Sequence, residues 1–397
     1  MRRLATLFVI LAVVAVLVAC EPSGDCGRVL TRDTTLTTDV LNCPGDGLVV
    51  GADGIEVRLA GHTIDGTGAN AWSAGIRVAG HDGVVVRGPG TIKEFGDGVR
   101  VEGGTGNRVR DLTVTLNGVG IHLVDADGGR VVDNDASGNE GPSGEFNRGV
   151  LLEDSDGNLL SGNTVFEDDY TCITLLRSHR NRIVGNAANH ADGTNVQLIE
   201  SNENEVVGND LTTSNGDAIS LSASRRNLVA ENQVGNTSAN GVFLSNASSN
   251  RIERNRGEGN DGDLVELIGS SSSNLIEGNV ATRYGNSGIR VGGFEGTAVG
   301  NRIRYNELTG GDFFSDDIED GIYVSSSASQ TVVRGNTTND NGDDGIDVDS
   351  PSTTIRDNVA NGNDDLGIEA VAGVTDGGGN RASGNGNPAQ CTGVACT

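Results

Sequence analysis

Lysine occurs once in this 397-residue chain, as Lys93, among 28 cationic side chains that face 55 carboxylates for a net charge of −27. A chain this acidic repels nucleic acid and anionic membrane surfaces, so neither is expected as a partner. Methionine is also present once and histidine five times, which leaves no dedicated copper site, and no cysteine pair has zinc-site spacing. Aromatic residues make up 3% and proline is found six times, against 61 glycines. Scattered, that composition would mean disorder, but here the glycines are periodic. No segment has helical spacing, and only one long apolar run exists, at the very start.

That run, in MRRLATLFVILAVVAVLVAC, has the layout of a secretory signal peptide over residues 1–19. It is short for a membrane span and is followed by polar residues. The ending Leu17-Val18-Ala19-Cys20 resembles a bacterial lipobox, which implies a lipidated Cys20 as mature N-terminus, a short tether over 20–25 and membrane contact through the lipid alone. The other reading is ordinary cleavage near Ala19. The remaining cysteines suit an oxidising, extracytoplasmic compartment. Cys26 and Cys43 bracket the start of the mature fold, Cys391 and Cys396 its end, and each pair is expected as a disulfide, with Cys172 a packed free thiol.

"NLVAENQVGNTSANGVFL" (227–244) returns as "NRIERNRGEGNDGDLVEL" (250–267), one period of 23 residues later. One asparagine series runs Asn158, Asn181, Asn204, Asn227, Asn250, Asn274, Asn301; a second runs from Asn163 through Asn232 and Asn306 to Asn358 and Asn385. Each period holds three short runs of alternating aliphatics. This is the pattern of an all-β, single-stranded parallel β-helix, in which residues one period apart stack at about 4.8 Å. Val242, Val265, Ile289, Ile322, Ile346 and Ile368 then form an interior stack. Asparagines at the corners can ladder along the axis and tolerate left-handed backbone. Thirteen strands of this kind between Gly75 and Gly367, nine of them opening on glycine, give about 13 coils of ~23 residues. Residues 26–70 read as an N-terminal cap, 71–378 as the repeats and 379–397 as a C-terminal cap, in a monomer.

With the repeat in view, "GLVVGADGIEVRLAGHTIDGTG" (47–68), the repeats from Asn107 onward and "GNPAQCTGVAC" resemble the right-handed parallel β-helix superfamily, the pectin-lyase-like fold, and its extracytoplasmic group with NosD-like segments. The resemblance implies the fold across the mature chain. For function it implies lyases, hydrolases, epimerases or non-catalytic binders. Of the superfamily's galacturonan-hydrolase signatures, double aspartates stand at Asp168-Asp169, Asp316-Asp317, Asp343-Asp344 and Asp364-Asp365, but Gly-His-Gly and Arg-Ile-Lys are missing, as is the Asp-Pro-His-Glu of mannuronan epimerases.

Spacing locates a candidate groove. Six extra residues enter between Asn134 and Gly149 and between Asn306 and Gly321, walls that bring Phe146, Phe313 and Phe314. Between them the outward strand position reads Thr174, Gln197, Ser220, Phe243, Glu266, Arg290, Tyr323, with Asp217, Asn240 and Asp263 just before the strand. Phenylalanines could stack on sugar faces. Asp217, Asp263 and Glu266 are the candidate acid and base for hydrolysis. Arg290 and Tyr323 could serve elimination or epimerisation of a uronate. Arg77, Arg100 and His122 occupy the same column nearer the N-terminus, either as a cationic patch for a uronate or as surface groups pairing with Asp97 and Glu102. Stacked aspartates could bind calcium, although no Gly-Gly-x-Gly-x-Asp repeat occurs and no metal site is assigned. The expected function is polysaccharide binding along the long face; an enzyme of the superfamily and a structural rod are the alternatives.

Overall fold

The computed structural model describes residues 21–68, 72–140, 147–167, 170–293, 296–311 and 319–397. Cys20, Phe146, Phe313 and Phe314 lie outside the described residues. The chain winds through three faces. The first is a 15-stranded sheet from Arg28–Leu30 to Ile368–Ala370 and the second a 15-stranded sheet from Thr34–Thr35 to Thr375–Asp376. The third is divided into four-, two- and six-stranded sheets. Neighbouring strands are one turn apart in sequence and parallel, as in Val242↔Val265 and Val265↔Ile289.

The interior is built as the spacing requires. Val242, Val265, Ile289, Ile322, Ile346 and Ile368 stack in register, each fully buried. Two rungs add to the thirteen counted from the sequence. Arg28–Leu30 and Leu48–Val50, within the segment read as a cap, pair in the same sheet (Leu48↔Ile76). Disulfides Cys26–Cys43 and Cys391–Cys396 close the two ends, and Cys172 is a buried thiol outside any disulfide, its Sγ donating to the Asn189 carbonyl at 3.5 Å.

The asparagines supply what the strands cannot. At a corner the sheets bend and main-chain groups lose their ladder partners, yet they stay buried. Asn232 shows the solution. Its Oδ1 accepts from the main-chain N–H and the Nδ2 of Asn209 (3.0 and 2.9 Å), while its Nδ2 donates to the Val206 carbonyl and to Asn255 Oδ1 (2.9 and 3.0 Å). The same bonds repeat from Asn134 to Asn380 and, in the other series, from Asn158 to Asn301.

Two details differ from expectation. Asn358 hands on to Asn380, and Asn385 belongs to a third ladder with Asn341 and Asn363. The left-handed residue is also not the ladder asparagine but the one before it: Arg180, Glu203, Arg226 and Ser249 have φ between 55° and 61°. The backbone turns first, and the asparagine then points inward across the turn.

Asn232→Ala should therefore orphan one main-chain N–H, one carbonyl and two side-chain amide groups, and lower the unfolding free energy by roughly 2–4 kcal/mol. Denaturant titration of the two proteins side by side checks this.

Candidate functional site

The outward column of the first sheet runs without a break through Arg77, Arg100, His122, Leu151, Thr174, Gln197, Ser220, Phe243, Glu266, Arg290, Tyr323, Asp347 and Glu369. Both candidate clusters thus share one line of side chains. Their chemistry differs sharply.

At the N-terminal end every cation already has a carboxylate. Arg77 holds Asp46 through Nε at 2.8 Å and reaches Glu102 at 3.4 Å. Arg100 pairs with Asp97 at 2.7 Å and with Glu102. Buried His122 meets Asp97 at 3.3 Å on Nδ1 and Glu153 at 3.1 Å on Nε2. Burial alone would push the imidazole down, but Asp97 and Glu153 outweigh it and hold its pKa above the ordinary value. This is an internal ion-pair network rather than a patch of free positive charge. Of the two sequence readings, pairing with Asp97 and Glu102 is the arrangement present.

Further along, the pre-strand residues form a second ladder. The main-chain N–H of Asn240 donates to Asp217 Oδ1 (3.0 Å), that of Asp263 to Asn240 Oδ1 (2.8 Å) and that of Ser287 to Asp263 Oδ1 (2.6 Å). Asn240 Nδ2 donates to Glu266 Oε2 (3.0 Å), drawing Asp217, Asp263 and Glu266 around one amide. Burial raises Asp217 to about 6. Burial, with Glu266 beside it, raises Asp263 to about 7. Glu266 is raised too, by burial. Asp263 is 1% exposed and its Oδ2 has no hydrogen-bond partner. A polymer lying on the sheet cannot touch it, so the catalytic role expected of Asp263 does not hold. Tyr323 likewise cannot act as a base near neutrality. Its hydroxyl donates to Asp349 Oδ2 (3.0 Å), and burial together with that carboxylate pushes it up to about 12. Arg290 lies over the Tyr323 ring at 5.2 Å. Phe243 is half-buried between Ser220 and Glu266.

Sequence reading of the outward column stopped two coils early. Asp320 and Asp344 continue the pre-strand ladder, with Asp344 N–H donating to Asp320 Oδ1 (3.2 Å) and Leu366 N–H to Asp344 Oδ1 (2.7 Å). Asp347 and Glu369 continue the outward column. Burial, reinforced by neighbouring carboxylates, raises Asp320 and Asp344 to about 8 and Asp347 to about 7. Carboxylate oxygens of Asp344, Asp347 and Glu369 lie within 4.8 Å of one another, as do those of Asp343, Asp344 and Asp365. The signal was present: both aspartates stand directly before a Gly-Ile strand, as Asp217 and Asp263 stand before theirs. Among the described residues, calcium-like oxygen groups form here and not between Asp217 and Asp263, where Asn240 intervenes.

The sequence model of the family described as "Right handed beta helix region" matches residues 148–303 and 258–396, and the chain belongs to that family. The model "Periplasmic copper-binding protein (NosD)" matches residues 38–217. No curated protein matches the chain. Among solved structures, the catalytic unit of a thermostable GH87 α-1,3-glucanase from Streptomyces thermodiastaticus strain HF3-3 is 14% identical over 91% of this chain and 70% of its own, with a TM-score of 0.56, and shares the fold. The periplasmic alginate epimerase AlgG is 14% identical over 66% of this chain and 71% of its own, at a TM-score of 0.47. DFA-IIIase from Arthrobacter chlorophenolicus A6 is 14% identical over 73% and 67%, at 0.41. Copper does not fit the residues present. His62, His81 and His122 are each taken by aspartate, and both three-residue groups are all carboxylate, whereas copper favours imidazole and sulfur.

The raised carboxylates fix a pH dependence. Between their unfolded pKa near 4 and folded values of about 7–8, the native state binds more protons than the unfolded chain. Stability must then fall as pH rises across that window. Thermal unfolding should give a lower Tm at pH 8.5 than at pH 5.5, and the double variant Asp320→Asn, Asp344→Asn should flatten the difference.

Proposed function

We propose that this protein is an extracytoplasmic rod that holds a linear polysaccharide along the outward face of its first sheet. One observation carries the reading: from Phe243 to Glu369, beyond buried Thr174 and Ser220, six consecutive coils each present one solvent-accessible side chain in register, five of them with a hydrogen-bonding group and the other Phe243. A polymer along the axis meets one such contact at each step of about 4.8 Å. The floor is acidic, and Arg290 is engaged by Tyr323, so neutral sugars fit it better than uronates. The two disulfides suit an oxidising compartment. Lipidation of Cys20 would tether the rod at its N-terminal end.

A second reading is hydrolysis, favoured by the three carboxylates around Asp344. Burial and neighbouring carboxylates raise half-buried Asp347 to about 7, so an acid that still holds a proton near neutrality stands beside exposed Glu369. The same oxygens would suit calcium.

The test is retention and product analysis on neutral glucans first, then uronic polymers, with and without calcium. Glucans should retain the protein, and Phe243→Ala or Glu266→Gln should weaken retention about tenfold. New reducing ends abolished by Asp347→Asn would add hydrolysis to binding. Retention by no polymer, or retention indifferent to both face variants, would sink the proposal. Separately, labelling with an alkyne fatty acid should mark the protein and be lost in Cys20→Ser.

A further inference from the structure

A different corner of the rod carries a feature that the first-sheet reading does not use. On the second sheet Arg304, Arg334 and Arg356, from strands Arg302–Arg304, Val332–Arg334 and Thr354–Arg356, stand directly above one another in three consecutive coils. Like charges directly opposite each other destabilise a sheet. Their compensation is partial. Arg304 reaches Glu277 through Nη2 at 3.0 Å, leaving its Nε without a hydrogen bond, and Arg334 reaches Asp357 through Nε at 3.3 Å, an ion pair without hydrogen-bond geometry. No carboxylate of the described residues pairs with Arg356 or with Arg302, beside Arg304 on the same strand.

Tyr305 stands next to this column. It occupies the left-handed corner position before a ladder asparagine, with φ of 58°. In the coils on either side that position is glycine, Gly278 and Gly335, also at positive φ. Other coils of the series carry Glu231, Arg254 and Asp357 at this position, also at positive φ, so what sets Tyr305 apart is its ring. The ring lies flat on the rod because Gly335 has no side chain: a Cβ there would come within 2.7 Å of Tyr305 Cε1. Half of Tyr305 is exposed, and the Arg334 guanidinium sits 5.9 Å from its ring centre.

We infer that this corner is a binding site for a linear polysaccharide bearing an anionic group on each sugar, either carboxylate or sulfate ester. Tyr305 is the platform for one sugar face, and the arginine column takes successive anions. Planar guanidinium forks match both groups bidentately, and their repeat of about 4.8 Å runs along the axis as a chain of sugars does. The site resolves a conflict in the composition. A chain of net charge −27 repels an anionic polymer overall, yet at physiological salt charges more than about 8 Å away are largely screened, so the local column decides.

The experiment is affinity electrophoresis of the full chain through gels holding polygalacturonate, dextran sulfate or neutral dextran. At least one anionic polymer should retard the protein well beyond any retardation that neutral dextran causes through the first-sheet face; which of the two acts identifies the anion. Tyr305→Gly and Arg356→Gln should each weaken retardation about tenfold, the effect of losing one anchor. Tyr305→Gly should at the same time keep or raise Tm, because glycine accepts this backbone. Arg182→Gln, which removes an exposed arginine paired with Glu205 elsewhere on the second sheet, should leave retardation unchanged. No retardation by either anionic polymer, equal retardation by dextran, or a Tyr305→Gly variant that binds like the parent would each overturn the inference.

Discussion

The structure depends on a side-chain amide that bonds both ways along the axis. Burial of valine and isoleucine drives the coil to close, but an aliphatic stack is indifferent to small slips along or around the rod. The asparagine amide is not. It must meet an N–H on one side and a carbonyl on the other within about 3 Å, and it is fully buried, so a slip leaves several polar groups without water. The ladder survives changes in coil length for this reason. Asn279 to Asn306 spans 27 residues, Asn306 to Asn336 spans 30 and Asn336 to Asn358 spans 22, with amide contacts of 2.9–3.1 Å throughout. Extra residues are expelled into loops, and the corner stays fixed.

A fixed corner makes the exterior columnar. Once register is set, each outward side chain has a neighbour directly above and below, so like charges in one column are unavoidable neighbours and chemistry comes in lines. The first sheet shows both consequences. Near its start, four carboxylates are threaded among Arg77, Arg100 and His122, and the column is neutralised from within. Further along, Asp320, Asp344, Asp347 and Glu369 have no cation between them, and burial with mutual repulsion keeps three of them raised.

Much of this was legible in the sequence, for a physical reason. A 23-residue period with alternating aliphatics admits one stacking, so the interior column from Val242 to Ile368 and the outward column from Arg77 to Tyr323 follow from counting. Disulfide pairing followed from position, because cysteines at the rod's two ends can only meet their neighbours. What was hidden depends on geometry within a coil. Whether Asn358 continues to Asn380 or to Asn385 turns on which corner the last coil cuts short. That Asp263 is sealed while Glu266 faces out cannot be read from two acids three residues apart. Tyr305 drew no notice in the sequence, since its distinction lies in the glycine one coil above and the guanidinium beside its ring.

Net charge is therefore a poor guide to what such a rod can hold. Acidic groups are spread over corners and over the first sheet, where several carry protons near neutrality and contribute less charge than the composition implies. Arginines are spread too, but Arg304, Arg334 and Arg356 fall in register, and register concentrates three charges within two coil steps of about 4.8 Å each. The same ladder that keeps the corners closed holds those guanidinium groups at a constant spacing without any contact among themselves that favours it. A rod built on amide ladders can in this way present an acidic face and a basic edge at once, each read by a polymer lying along the axis and neither cancelled by the other.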